Sequence, residues 1–120
     1  MRRILLIDDT PETAELLMFS LRDQGFEVFA TGFTTEANEL IAEQRSEALV
    51  INCSAYNMSQ SIFDSVRHHP DNAELPIIII SDTPEKADAS LRSRNAERVF
   101  LIPKPFTGSQ VARGLTELLK

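Results

Sequence analysis

The sequence of 120 residues lacks several features that would place it in a specialised class of protein. Its only cysteine is Cys53, which excludes an internal disulfide framework and a multi-cysteine zinc site. No apolar run approaches the roughly 20 residues needed to span a membrane. The first apolar run meets acidic residues too soon for a signal peptide. These absences predict a cytoplasmic protein with no membrane partner.

Positive charge is also scarce. Twelve Lys and Arg residues stand against eighteen Asp and Glu residues, which gives a formal net charge of −6. The basic residues form no concentrated stripe, so a polyanion would gain little from counterion release and would meet a repulsive mean field. We therefore expect no direct binding of nucleic acid.

The length and composition are those of one globular domain, with 42% hydrophobic and 25% charged residues. Short apolar runs alternate with amphipathic stretches from end to end. Strands are predicted at 4–7, 26–30, 48–51, 77–80 and 99–102, and helices start near Pro11, Thr34 or Thr35, Ser59 or Ser61, Pro84 and Thr107. This alternation is typical of a (βα)₅ domain with a parallel sheet and helices on both faces.

Polar side chains stand at the ends of four of the predicted strands. Asp8 and Asp9 follow the first strand, Asn52 the third, Ser81 the fourth and Lys104 the fifth. The carboxyl ends of parallel strands meet at one edge of the sheet, where the ligand sites of open α/β folds lie. Carboxylate and amide oxygens suit Mg²⁺, and a hydroxyl with an ammonium group suits phosphoryl oxygens. Taken singly, Asp9 and Ser81 could instead be helix caps, and Lys104 a solvated loop residue.

Three motifs at these positions resemble those of a known family. They are Ile4-Leu5-Leu6-Ile7-Asp8-Asp9, the isoleucine run between Pro76 and Ser81, and Lys104-Pro105-Phe106. Over essentially all 120 residues, the sequence is similar to the receiver domain of bacterial two-component response regulators. The resemblance implies a single receiver-like domain at 1–120 with an α/β, flavodoxin-like (βα)₅ fold. Such a fold is a doubly wound, five-stranded parallel sheet with strand order 2-1-3-4-5.

The resemblance also implies roles for the residues at the strand ends. Asp8 and Asp9 would be Mg²⁺ ligands, and Ser81 would be the switch hydroxyl. Lys104 would be the ammonium group that pairs with phosphate. A cis peptide bond is expected between Lys104 and Pro105.

The main departure from the family is Asn52, which stands where the family has its phosphoacceptor aspartate. Formation of an acyl phosphate needs a carboxylate oxygen to attack phosphorus, and an amide oxygen carries no full charge. No carboxylate follows closely enough to substitute, since Asp64 falls within the third helix. We therefore expect no catalytic residue, and we interpret the chain as an atypical receiver, or pseudo-receiver.

The missing carboxylate changes what the remaining charged residues are expected to do. Asp8 and Asp9, with Asp82, would bind Mg²⁺ weakly or not at all, so no cofactor is required. Lys104 would then pair with Asp8 or Asp9, or donate to the amide oxygen of Asn52. In that case the strand ends would form a fixed polar network.

Three functions are compatible with these residues. The first is signalling by contact with a protein partner, a histidine kinase or another signalling protein, without aspartyl phosphorylation and without enzymatic activity. The second is a phosphorylatable receiver with Asp8 or Asp9 as acceptor and Mg²⁺ as cofactor. The third, binding of a flavin, is disfavoured because the acidic loop that begins at Asp8 would repel a phosphate group.

The resemblance also points to a partner surface on the fourth helix, the fifth strand and the fifth helix. In this sequence the surface would contain Lys86, Ser90, Arg94, Arg113 and either Phe100 or Leu101. Phe100 is the candidate for the family's switch aromatic, whereas counting back from Lys104 gives Leu101. We expect the chain to be a monomer or a weak homodimer.

Overall fold

The computed structural model describes residues 1–120, in which five strands alternate with five α-helices. The strands are β1 (Arg3–Asp8), β2 (Glu27–Thr31), β3 (Ala48–Asn52), β4 (Ile77–Ser81) and β5 (Val99–Pro103). The helices are α1 (Pro11–Asp23), α2 (Ala37–Gln44), α3 (Tyr56–His68), α4 (Pro84–Ser93) and α5 (Gly108–Leu118), and a short 3-10 helix, Pro70–Asn72, follows α3. No helix is both long enough and apolar enough to cross a membrane.

All five strands are parallel and form one sheet in the order β2-β1-β3-β4-β5. The predicted fold class is therefore confirmed. Every residue of β3 and β4 is buried, because these aliphatic runs lie in the interior of the sheet with helices on both faces. The two edge strands, β2 and β5, include exposed residues.

An apolar core lies on each face of the sheet, since alternate residues of a strand point to opposite faces. On one face, Leu6 of β1 packs in a cluster with Leu21 of α1 and Leu115 of α5. On the other face, Leu5 packs in a cluster with Phe63 of α3. The helices thus cover both faces and leave the carboxyl ends of the strands open at one edge.

Three helices start where the sequence predicts. Pro11 and Pro84 occupy the first helical positions of α1 and α4, where the missing N–H of proline costs nothing. Thr107 caps α5 in a reciprocal arrangement with Gln110, in which each side chain bonds to the backbone N–H of the other residue.

The predicted starts of the other two helices are wrong. α3 begins at Tyr56 and not at Ser59 or Ser61, after Ala55, which has no side-chain group that could cap a helix. α2 begins at Ala37, later than a cap at Thr34 or Thr35 would place it. The Thr34 hydroxyl instead accepts a hydrogen bond of 2.9 Å from the backbone N–H of Glu36, in the turn before the helix.

Candidate functional site

The strand ends bring the five predicted polar residues to one edge of the sheet. Asp8 and Asn52 are directly paired at the ends of β1 and β3. Ser81 ends β4 opposite Pro103, and the backbone N–H of Lys104 donates to the Ser81 carbonyl at 2.9 Å. Asp9 follows Asp8 on the same loop. We call this group of five residues, Asp8, Asp9, Asn52, Ser81 and Lys104, the strand-end crevice.

Asp8 is buried, with 3% of its surface exposed, and its carboxylate accepts hydrogen bonds from three residues. The backbone N–H of Thr10 donates to Oδ1 at 2.9 Å. The Thr13 hydroxyl lies 3.0 Å from Oδ1 and 2.9 Å from Oδ2. The Nδ2 amide of Asn52 donates to Oδ2 at 2.9 Å. Protein donors therefore stabilise the buried charge from several sides.

The carboxylate of Asp9 joins the loop after β1 to the loop after β3. The backbone N–H of Ser54 donates to Asp9 Oδ1 at 3.0 Å, and the Ser54 hydroxyl donates to Asp9 Oδ2. Asp9 does not cap α1, because the N-cap residue is Thr10 and the helix has no side-chain cap. The alternative interpretation of Asp9 as a helix cap is therefore wrong.

Asn52 lies inside the crevice, with 3% of its surface exposed. Its amide nitrogen donates to Asp8, whereas its Oδ1 is buried without any hydrogen-bond partner. An unpartnered buried oxygen costs on the order of 1–3 kcal/mol. The side chain is thus held at the end of β3 through its N–H, and its carbonyl oxygen is available to a further donor.

Lys104 does not make the predicted contact with Asp8, Asp9 or the Asn52 oxygen. Its Nζ pairs instead with Oδ2 of Asp82 at 3.3 Å. Asp82 follows β4, the strand next to β5, whereas β1 lies three strand spacings away, about 14 Å across the sheet. The predicted network, which depended on this lysine, is therefore wrong in its central contact; Asp8 and Asn52 are hydrogen-bonded to each other without it.

Ser81 is buried, and its hydroxyl accepts a hydrogen bond of 3.0 Å from the backbone N–H of Thr83. Thr83, and not Ser81, is the N-cap residue of α4. The hydroxyl therefore stabilises the turn before the helix. Ser81 lines a cavity of about 50 Å³ between α3 and α4, together with Ser54 and Asp82.

The register of β5 separates the two candidates for the switch aromatic, Phe100 and Leu101. Phe100 pairs with Ile78, whose side chain belongs to the core beneath α1 and α5, and the Phe100 ring lies beside Gly114 of α5. Leu101 has the opposite orientation and packs against the core on the α3 face. The two candidates thus point to opposite faces of the sheet, Phe100 towards α5 and Leu101 towards α3.

The residues of the predicted partner surface do not all face the same way. Lys86 lies 5.0 Å from the centre of the Tyr56 ring, so it faces α3. The guanidinium group of Arg94 pairs with both carboxylate oxygens of Asp64 on α3, at 2.8 and 3.0 Å, and also donates to the Ser90 hydroxyl.

These contacts turn Lys86, Ser90 and Arg94 towards α3 and away from the groove between α4 and β5. That groove is lined from α4 by Asp88, Leu91 and Arg92. Of the predicted surface residues, Arg113 is exposed on α5 and Leu101 is only half-buried on β5. The predicted surface is thus not one continuous patch, because its α4 residues face α3, whereas Leu101 and Arg113 lie on β5 and α5.

Burial and nearby negative charge both disfavour ionisation of the Cys53 thiol, which lies near the crevice. Burial raises the pKa of the Cys53 thiol to about 11, and the neighbouring carboxylate of Asp9 adds to that shift. The thiol therefore stays protonated at neutral pH. This agrees with the expectation that a cysteine beside acidic groups is unreactive.

The residues around Asp8 and Asp9 fit a Mg²⁺ ion poorly. Mg²⁺ prefers an octahedron of oxygen ligands with several carboxylates or waters, but the oxygens of both carboxylates already accept from N–H and O–H donors. Asn52 supplies an amide where a third carboxylate would stand. No group of three or more His, Cys, Asp or Glu side chains is arranged to hold a metal ion. The donor set is that of a hydrogen-bonded network.

Sequence reasoning missed the residues that complete this network. Thr13 donates its hydroxyl to the carboxylate of Asp8, and Ser54 donates its hydroxyl to that of Asp9. Outside this network, Asp64 on α3 pairs with Arg94 and so joins α3 to the end of α4. Thr13 lies one helical turn into α1, where a threonine is unremarkable. The only sequence signal for Ser54 is its place two residues after the end of β3, in a loop that reaches the crevice.

Comparison with known proteins agrees with the fold and with the resemblance. No protein-family model matches the chain. It is 26% identical to the DNA-binding response regulator MtrA of Mycolicibacterium smegmatis over 105 residues, which cover 88% of this chain and 45% of that protein. It is 29% identical to the phyllosphere-induced regulator PhyR of Methylorubrum extorquens over 117 residues, which cover 97% and 43%. The chain thus spans less than half the length of these two relatives.

A solved structure shows the same architecture. The receiver domain of a sensor histidine kinase from Pseudomonas aeruginosa, with magnesium coordinated in its active site cleft, superposes with a TM-score of 0.81 at 21% identity. The match covers 98% of this chain and 97% of that one. The Lys104–Pro105 peptide bond is cis, as the resemblance implies. The chain thus has the receiver-domain fold and is similar over 88% of its length to a response regulator, which supports a receiver domain in two-component signalling.

Proposed function

We propose that this receiver domain signals through contact with a protein partner and does not use an aspartyl phosphate at the end of β3. The observation that carries the proposal is the hydrogen bond of 2.9 Å from Asn52 Nδ2 to Asp8 Oδ2. It holds an amide in a buried site at the end of β3, where the resemblance would put the phosphoacceptor. The partner would be a histidine kinase or another signalling protein, and the chain itself would not be an enzyme.

The chemistry of an amide supports this proposal. Transfer of a phosphoryl group needs an anionic oxygen in line with the leaving group, and the Asn52 oxygen has no full charge. The missing charge also weakens any attraction for a cation. At about 4 Å and an effective dielectric constant of about 20, one carboxylate contributes about 4 kcal/mol per unit of metal charge before desolvation.

The alternative acceptors have less support. Asp8 is buried and accepts from Thr10, Thr13 and Asn52, so its oxygens are not free to attack. Asp9 is engaged through both oxygens by Ser54. A receiver that transfers a phosphoryl group to Asp8 or Asp9 with Mg²⁺ would have to break these bonds first.

Intact-mass measurement after incubation with Mg²⁺ and acetyl phosphate tests the proposal. We expect the parent protein to keep its mass, and the Asn52→Asp variant to gain about 80 Da, the mass of one phosphoryl group, in a form that hydroxylamine removes. The variant is the matched control, because it shows that the phosphodonor and Mg²⁺ are competent. A hydroxylamine-sensitive adduct on the parent would overturn the proposal, and its loss in Asp8→Asn or Asp9→Asn would identify the alternative acceptor.

A further inference from the structure

The cavity between α3 and α4 exists because short side chains face each other across the two helices. Ser59 of α3 lines it, as do Ala87 and Ser90 of α4, and Ile79 of β4 lies at its buried side. Side chains this short do not fill the space between two helices that pack on a sheet. The volume of about 50 Å³ has room for about three or four water molecules, or for a small organic group of that size.

Two contacts between long side chains hold the helices at this separation. Lys86 lies over the ring of Tyr56, 5.0 Å from its centre, and Arg94 pairs with Asp64 at 2.8 and 3.0 Å. The two contacts are about two turns apart on each helix, which is about 12 Å along the axis. The short side chains lie between them, so the cavity is braced at both ends and α4 does not collapse onto α3.

The charges that line the cavity already have partners. Only two of its lining residues are charged, Asp82 and Arg94. Asp82 pairs with Lys104 at 3.3 Å, and Arg94 pairs with Asp64. A charged ligand would lose its hydration here without gaining a free counter-charge, which is unfavourable. The cavity therefore suits an uncharged molecule.

Polar groups in the cavity wall can orient such a molecule. The Ser81 oxygen accepts from the backbone N–H of Thr83 at 3.0 Å, so the Ser81 hydroxyl can donate its own proton to a ligand oxygen. The side-chain amide of Gln60 offers both a donor and an acceptor. The remaining wall is apolar and includes Phe63 and Leu91. This combination of an apolar wall and a few polar groups is typical of small-molecule sites.

We propose that the α3–α4 cavity binds a compact, uncharged organic molecule with a branched apolar part and one carbonyl or hydroxyl group. The apolar part packs on Phe63, Ile79 and Leu91, and the oxygen accepts from Ser81. The role of the ligand rests on the proposed function. In a receiver that uses no aspartyl phosphate, a molecule between α3 and α4 fixes the position of α4 and so regulates the contact with a protein partner.

Isobutyramide is a probe with this chemistry, and it tests the site without knowledge of the natural ligand. It is titrated into the isotope-labelled protein up to about 100 mM, and amide chemical shifts report the binding. Isobutyrate is the matched control for charge, because it has the same shape. Cyclohexanecarboxamide is the control for size, because it has the same amide on a ring too large for the cavity.

We expect isobutyramide to bind with a dissociation constant on the order of millimolar, and its shifts to cluster on the facing sides of α3 and α4. Both control compounds should bind at least about tenfold more weakly. Ala87→Leu should abolish binding, because the larger side chain fills the cavity. Ala89→Leu is the matched variant, since Ala89 is exposed on the same helix, and it should bind like the parent.

Bound isobutyramide should also slow amide hydrogen exchange along α4 and leave that of α2 unchanged. Unchanged exchange in α4 at saturation would refute the regulatory role.

Three outcomes would overturn the binding site: no saturable shifts with isobutyramide, equal binding of isobutyrate, and binding that Ala87→Leu leaves unchanged. The size and charge controls use the parent protein, so the test holds even if the Ala87→Leu variant unfolds. The mass experiment with acetyl phosphate is independent of this cavity. A protein that is not phosphorylated and does not bind isobutyramide would refute the cavity site and leave the proposed function intact. A protein that binds isobutyramide and is also phosphorylated would refute the proposed function and leave the binding site intact.

Discussion

Replacing Asn52 by Asp should destabilise the domain, and the effect reports directly on the geometry of the crevice. The substitution removes the hydrogen bond from Nδ2 to Asp8 Oδ2 and puts a second carboxylate beside a buried one. Two like charges about 4 Å apart repel by about 4 kcal/mol at an effective dielectric constant of about 20. A hydrogen bond to a charged group contributes about 1.5–3 kcal/mol. After relaxation, we expect a loss of about 2–5 kcal/mol at pH 7.

The loss should depend on pH and on Mg²⁺ with a defined sign. Protonation of either member of the new carboxylate pair removes the repulsion, so the difference from the parent should shrink as the pH falls towards 4. Mg²⁺ binds the folded variant through its additional carboxylate and should restore stability through mass action. The parent, whose carboxylates already accept protein donors, should respond much less.

Urea unfolding of the parent and of Asn52→Asp at pH 7 and pH 4.5, with and without Mg²⁺, measures these differences. Asn52→Ala is the matched control, because it removes the hydrogen bond and the unpartnered oxygen without adding charge. It should cost about 1–2 kcal/mol and respond to neither Mg²⁺ nor pH. An Asn52→Asp variant that is as stable as the parent at pH 7 without Mg²⁺ would refute the placement of this side chain beside Asp8.

Three further substitutions test contacts elsewhere in the fold and the thiol near the crevice. In Gly108→Ala, the new Cβ would overlap the Ser20 hydroxyl, so we expect about 1–3 kcal/mol of destabilisation in urea unfolding, partly recovered by adding Ser20→Gly. Arg67→Lys removes the planar group that donates to four backbone carbonyls. The free energy of unfolding should fall by about 2–4 kcal/mol, and an unchanged unfolding midpoint would contradict this. The pKa of Cys53 is raised to about 11, so its contribution to stability should be lost as the pH rises from 9 to 11, a dependence absent in Cys53→Ala.

The fold follows from the sequence because its strongest signals are short and local. Four consecutive isoleucines at 77–80 favour a strand covered on both faces, because β-branched residues suit strands, and the structure buries them all. The start of α3 had no such signal, because Ala55 cannot cap a helix with its side chain. The start of a helix is predicted wrongly where no side chain caps it, because the sequence then carries no signal for that position.

The sequence predicted which residues lie in the candidate site, but it did not predict which of them bond to one another. Strand ends bring Asp8, Asn52 and Ser81 together whatever their partners, because the parallel sheet fixes their positions. The partner of Lys104 depends instead on the reach of one flexible side chain, and Asp82 on the adjacent strand is nearer than Asp8. Likewise, the faces of Phe100 and Leu101 depend on a register that a shift of one residue would reverse.

The network in the crevice explains how this receiver domain keeps its shape with an amide in place of a carboxylate. A third carboxylate at the end of β3 would face Asp8 across about 3–4 Å and would need a cation to hold it there. Asn52 replaces that repulsion with an N–H donor, and Ser54 does the same for Asp9 through two bonds. The loops after β1 and β3 are therefore joined by protein donors alone. A crevice joined in this way needs no cation to hold the two loops together, as the proposed signalling without an aspartyl phosphate requires.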